Sequence, residues 1–124
     1  MTTWLILALL FFKHSLAEFC WQTNRMLKDQ GHFWRVGGLQ HAGLHGALTY
    51  VILMHFINLQ ACVMLAIFDA VVHYAMDWMH RRATIRMAAD SNAFQFWFGL
   101  DQFVHAITYL LIGIVVSILL AEYI

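Results

Sequence analysis

Apolar residues fall into long blocks divided by polar linkers. The blocks run from about Trp4 to Gln22, Leu39 to Leu59, Ala61 to Trp78 and Phe94 to Tyr123. Apolar runs of that length, uninterrupted by proline, predict helices rather than strands. Each is close to the roughly 20 residues that cross a bilayer as a helix. Asn58-Leu59-Gln60 is the only punctuation between the second and third blocks, which predicts a tight helical hairpin there. The linkers Thr23 to Gly38 and His80 to Asn92 are polar, and the first carries Gly31, Gly37 and Gly38. No internal repeat or low-complexity tract is visible.

Composition turns this pattern into a class. Of 124 residues, 62% are hydrophobic, 11% are charged and none is proline; the mean hydropathy is +0.67. Soluble domains are nearer half apolar with about a quarter charged, and disordered chains have the opposite balance, so both classes are excluded. Four helices of about 20 residues use about 80 residues and leave about 44 for linkers and ends. The expectation is an all-α, integral membrane four-helix bundle, one domain over residues 1–124. Membrane lipid surrounds it, and a homo-oligomer or larger membrane complex is compatible with its size. A formal net charge of zero gives no reason to expect a nucleic-acid partner. The opening Met1-Thr2-Thr3-Trp4 lacks the basic region of a signal peptide, so Trp4 onward reads as a retained membrane helix.

Charge placement predicts the orientation. Arg25, Lys28 and Arg35 lie in the first linker and Arg81, Arg82 and Arg86 in the second, leaving only Lys13 elsewhere. Basic residues stay on the cytoplasmic side, which puts both linkers in the cytoplasm and both termini outside. Trp21, Trp34, Trp78 and Trp97 flank the linkers as interfacial anchors, while Trp4 and Tyr123 mark the outer side. Cys20 and Cys62 then lie about 25 Å apart in depth and cannot meet the roughly 6 Å between α-carbons that a disulfide needs.

Candidate chemistry lies in polar pairs within the apolar blocks. These are His14 and Glu18, His41 and His45, His73 and Asp77, and Asp101 and His105. Each pair is spaced i, i+4, which directs both side chains from one helix face. Gln22, Thr49, Asp69 and Thr108 extend those faces. Counted at 1.5 Å per residue, all four pairs fall roughly 6–20 Å from the cytoplasmic boundary. Ionisable groups in hydrocarbon cost several kcal/mol each unless paired or coordinated. Histidine and carboxylate suit zinc or another first-row divalent ion, and the absence of thiolate from the cluster argues against an iron–sulfur centre. Eight groups exceed one tetrahedral shell. Either two ions bind, or one ion binds and the remaining groups orient ligands and carry protons.

The plain alternative is that histidine–carboxylate hydrogen bonds simply hold the helices together. Haem needs only one or two axial histidines and leaves Glu18, Asp77 and Asp101 unexplained. Lys13 and Asp69 lie at similar depth and predict a structural ion pair. Ala42-x-x-x-Gly46 and Gly43-x-x-x-Ala47 predict close helix packing. His32 and His80 read as solvated, and residues 85–89 as either an interfacial helix or an ordinary loop.

These residues also resemble a known family. His14-x-Leu16-x-Glu18-Phe19-x-x-Gln22-Thr23-x-x-Met26-x-Lys28, His45, His73-x-x-x-Asp77 and Asp101-Gln102-x-x-His105 resemble small bacterial and phage membrane proteins catalogued as domain of unknown function 3307. Glu18 stands where that pattern suggests aspartate. The family is similar to proteins labelled membrane-bound metal-dependent hydrolases. The resemblance therefore implies a multi-pass protein of the bacterial inner membrane with hydrolase chemistry.

Three functions follow as expectations. The first is a metal-dependent hydrolase acting at the cytoplasmic leaflet on an ester, phosphoester or amide. Its ligands are His14, His45, His73, Asp77, Asp101 and His105, its cofactor one or two divalent ions, zinc first, and its general base Glu18. The second is a non-catalytic membrane subunit or scaffold locked by the polar layer, with or without a structural metal. The third is an ion or proton transporter.

Overall fold

A computed structural model describes residues 1–122, and Tyr123, the predicted end of the last block, lies outside them. The described residues form five α-helices and no strand: α1 (Thr2–Ser15), α2 (Asn24–Asp29), α3 (Val36–Leu53), α4 (Leu59–Thr84) and α5 (Asn92–Ala121). A π-helical turn, Leu16–Cys20, continues α1. Its signature is the bond from Trp21 N–H to the Leu16 carbonyl at 2.9 Å, five residues back.

Local chemistry sets the boundaries. Thr23, Asn58 and Ser91 each take an extended backbone, and their side-chain oxygens accept from the N–H of Met26, Ala61 and Phe94. These N-caps satisfy donors that a helix start leaves free. The break in the hairpin is accordingly Met54 to Asn58 rather than 58–60. The chain turns there through bonds from Phe56 and Ile57 N–H to the Leu53 carbonyl. The second block helix thus runs 36–53 instead of 39–59. The third continues six residues past Trp78, carrying Arg81 and Arg82 in its last turn. Residues 85–89 form turns. The first linker holds a short helix, α2, that the sequence pattern did not suggest.

The long helices pack as a closed ring: α1 on α3, α3 on α4, α4 on α5 and α5 on α1. Small residues permit the tightest crossings. A Cβ on Gly46 would lie 2.9 Å from the Ala66 carbonyl oxygen and 2.9 Å from Ala70 Cβ, so α3 and α4 touch backbone to backbone there. At one end Ile6, Leu10, Leu53, Ile57, Cys62, Tyr109, Ile112 and Val116 form a buried apolar cluster. The outside is apolar as well: Trp4, Phe12, Met64, Ile67, Val71, Phe96, Phe103 and Ile114 are all exposed. So large an exposed apolar surface is foreign to a protein bathed in water on all sides.

Three helices, Thr2–Cys20, Leu59–Thr84 and Asn92–Ala121, are long and apolar enough to cross a membrane. α3, the expected fourth span, does not reach that mark. Its 18 residues include Gly37, Gly38, Gly43 and Gly46 together with Gln40, His41 and His45. Cys20 is exposed and Cys62 buried, and both are free thiols.

The two glycine motifs on α3 should behave differently. Gly46→Ala should lower stability by about 1–3 kcal/mol through overpacking. A Cβ on Gly43 meets nothing within 4 Å, so Gly43→Ala should stay within about 0.5 kcal/mol of the parent. Thermal unfolding in detergent measures both, and equal losses would contradict the crossing geometry.

Candidate metal centre

The polar residues stack in two layers beyond the apolar cluster. The first is built on Lys13. Its ammonium donates to Asp69 Oδ2 at 2.6 Å and to the His45 carbonyl at 3.2 Å. It also lies 3.3 Å from His45 Nδ1 and 4.7 Å from the Tyr109 ring centroid. The Thr49 hydroxyl donates to the same Asp69 oxygen at 2.6 Å. Lys13 and Asp69 are 4% and 1% exposed, so the predicted ion pair forms in a dry interior. It reaches across the ring from α1 to α4, with α3 and α5 supplying its flanks.

The second layer collects the four predicted pairs. His45 and His73 stack with ring centroids 3.5 Å apart, and His73 and His105 with centroids 3.9 Å apart. His14 closes on this column, 5.2 Å from His105 and 5.4 Å from His45. Glu18 Oε2 lies 3.1 Å from His41 Nε2, 3.3 Å from His73 Nε2 and 3.5 Å from His45 Nε2. Asp77 bridges the other side, 3.5 Å from both His41 Nε2 and His105 Nε2. Asp101 Oδ1 lies 3.2 Å from His105 Nε2.

Three sets have ligand atoms within 4.8 Å of one another: His14, Glu18, His45 and His73; His41, His73 and Asp77; and Asp77, Asp101 and His105. His73 belongs to two sets and Asp77 to two, so they form one continuous cluster. All six residues expected as ligands, and Glu18 with them, are therefore gathered in one place.

The arrangement also departs from the sequence pattern. An ideal helix would aim His14 and Glu18 from one face, but Glu18 sits in the widened π turn and their partners differ. His14 meets α5, with Nδ1 2.9 Å from the Tyr109 hydroxyl and Nε2 3.0 Å from Gln102 Oε1. Glu18 meets α3 and α4 instead. His41, outside the expected ligand set, is fully buried among the carboxylates. His80, expected to be solvated, places Nδ1 3.4 Å from Asp101 Oδ2 and its ring beside Phe94 and Phe98. The missed signal was its spacing: His80 follows His73 by two helical turns on one face. Thr108 does not join the layer, because its hydroxyl donates to the Val104 carbonyl.

Hydrogen bonding leaves this layer unfinished. His41 Nδ1 and His73 Nδ1 are buried without a hydrogen-bond partner among the described residues, while His45 Nε2, His105 Nε2 and Asp101 Oδ1 have only poorly aligned ionisable neighbours at 3.2–3.5 Å. Buried polar atoms seldom stay unpaired, because each costs about 1–3 kcal/mol. The charge balance points the same way. Glu18, Asp77 and Asp101 share the layer with no lysine or arginine, since Lys13 is committed to Asp69. Their counter-charge must come from protonated imidazole or a bound cation, and the donors of the layer are those that hold divalent first-row ions.

A family model described as "Protein of unknown function (DUF3307)" matches residues 6–123, and the chain belongs to that family. No curated protein and no solved structure matches.

The Lys13–Asp69 pair yields a thermodynamic cycle. Lys13→Met and Asp69→Leu should each lower stability by about 3–5 kcal/mol, because each leaves a bare buried charge. The double substitution should cost less than either single change. Chemical unfolding of the four proteins measures the coupling, and additive losses would disprove it.

Proposed function

For this DUF3307 protein, we propose an integral membrane metalloprotein that hydrolyses its substrate at the cytoplasmic side. In this reading α1, α3, α4 and α5 all span the bilayer as a bundle, both termini lie outside and both linkers face the cytoplasm. The observation that carries it is the convergence of His14, Glu18, His41, His45, His73, Asp77, Asp101 and His105, whose ligand atoms form overlapping sets within 4.8 Å of one another. Inward histidines and carboxylates from facing helices are a known way to build a metal site in a bundle core. The donor set favours zinc, and three overlapping sets that share His73 and Asp77 suit one or two ions.

A divalent ion there would supply Lewis-acid charge to polarise a scissile bond and to acidify water. The chain's own groups do the rest. Glu18 is the base: it is the most exposed carboxylate of the layer, with a side chain 11% exposed against 6% for Asp77 and 3% for Asp101. Water can therefore approach it, and its Oε1 can take a proton while His41 and His73 hold Oε2 in place. Asp101, held between His80 and His105, orients the His105 ring. The Tyr109 hydroxyl and Gln102 fix the His14 ring, so both of its nitrogens are engaged. That engagement is the one observation favouring the scaffold alternative, in which the same layer locks the helices without turnover.

Two measurements separate these readings. Protein purified without chelator should carry about one or two equivalents of zinc, manganese or iron by elemental analysis. Chelation should lower its melting temperature, and restoring metal at about 100 times its Kd should return about 2.7 kcal/mol. Less than about a tenth of an equivalent, with no stabilisation by added metal, would defeat the metal claim.

Glu18→Gln tests the base. It should keep the metal while slowing hydrolysis of bis(p-nitrophenyl) phosphate about 10²–10⁴-fold. Unchanged turnover would remove Glu18 from that role, and metal loss would make it a ligand.

A further inference from the structure

A second polar feature lies beyond the histidine layer, at the end of the ring where the linkers are. α2, the chain following it, the end of α4 and the start of α5 enclose a cavity of about 350 Å³, lined by Lys28, Gly31, His32, Arg81, Thr84 and Phe94 among others. That volume falls in the range of small-molecule sites, roughly 300–1,000 Å³. No carboxylate lines it.

Its cations have no counter-charge. Among the described residues neither Lys28 nor Arg81 forms an ion pair, whereas Arg25 and Arg35 both approach Asp29. Asp29 does not serve Lys28: its Oδ2 accepts from the Gly37 N–H at 2.9 Å. Arg81 is positioned rather than free-swinging. Its Nε donates to Gln30 Oε1 at 3.4 Å, and a Cβ on Gly31 would lie 3.4 Å from its own Cβ. Gln30 is 6% exposed, and its Nε2 has no hydrogen-bond partner among the described residues. A cation in the last turn of α4 also suits that helix end. Dipole balance accounts for Arg81, but not for Lys28 on another helix or His32 in a loop converging on the same cavity.

We propose that this cavity binds a phosphate-class anion, either a lipid headgroup phosphate or a soluble phosphate ester. Paired lysine and arginine donors in a partly enclosed space are the chemistry that recognises phosphate. Consecutive residues of α4 link the cavity to the histidine layer: Arg81 lines the cavity, and His80 Nδ1 lies 3.4 Å from Asp101 Oδ2. The proposal deepens the hydrolase reading by naming phosphoesters as the substrate class. It rests on that reading for the chemistry and not for the binding.

Binding is therefore measured on full-length, chelator-treated protein in detergent, by titrating inorganic phosphate against chloride at equal ionic strength. Lys28→Gln with Arg81→Gln should weaken phosphate about tenfold or more, the scale of lost charge-assisted hydrogen bonds. Arg82→Gln with Arg86→Gln removes the same charge outside the cavity and should change affinity less than about twofold. Lys28→Arg with Arg81→Lys keeps the charge, and its retention of binding shows that loss in the first variant is not misfolding. Nanodiscs of phosphatidylcholine with and without phosphatidic acid identify the source. Phosphatidic acid that excludes inorganic phosphate marks a lipid headgroup, whereas phosphate binding indifferent to it marks a soluble ester. Equal weakening by both charge-removing pairs, or no saturable phosphate binding with no phosphatidic acid preference, would overturn the proposal. Because no metal is present in the assay, that failure leaves the metal reading untouched. Protein that carries no metal when purified without chelator and yet binds phosphate would instead keep the anion site while defeating the hydrolase.

Discussion

An ammonium and a carboxylate 2.6 Å apart in a dry interior cannot be pulled apart without exposing each to a medium that solvates neither. Lys13 and Asp69 impose that constraint on the whole molecule, because their neighbours come from every long helix. Thr49 on α3 bonds the carboxylate, and Tyr109 on α5 lies beneath the ammonium. Shifting any one helix along its axis would strand part of this set. Apolar packing alone is weakly directional, particularly for helices in lipid. The ion pair supplies the register that the apolar cluster cannot.

That register makes the histidine layer possible. The same ammonium contacts His45 at both its carbonyl and its Nδ1, fixing one end of the column of stacked rings. The column then holds His73 between His45 and His105, and the carboxylates close around it from α1, α4 and α5. Stability and candidate chemistry share side chains here. A change to the ion pair therefore reaches the site directly through His45 as well as through the register of the helices.

The sequence made the layer legible because depth and face are both simple functions of residue number in a straight helix. Four i, i+4 pairs counted from the basic linkers were enough to predict convergence, and the Lys13–Asp69 contact followed from the same count. What stayed hidden were departures from ideal geometry. Apolar composition does not reveal a widened turn, so the separate partners of His14 and Glu18 could not be read. Helix ends were misplaced where a single cap residue outweighs a long apolar run, as at Asn58 and Ser91. His80 was misjudged because it was assigned to a polar linker, when α4 continues through it to Thr84. α2 is too short for periodicity to declare, and its position depends on Gly37 fitting against Arg25 and Asp29.

The apolar cluster from Ile6 to Val116 gives the molecule a closed end. Beyond Lys13 and Asp69, among the described residues, no buried charged side chain continues toward that end; buried leucine, isoleucine and valine fill the centre of the ring, with Thr3 and Ser117 bonded at 2.8 Å beside them. The histidine layer is thus asymmetric along the ring. A charge placed among its imidazoles finds carboxylate partners on the side of the linkers, whereas the cluster offers it no buried carboxylate, imidazole or amide and moving it there costs several kcal/mol.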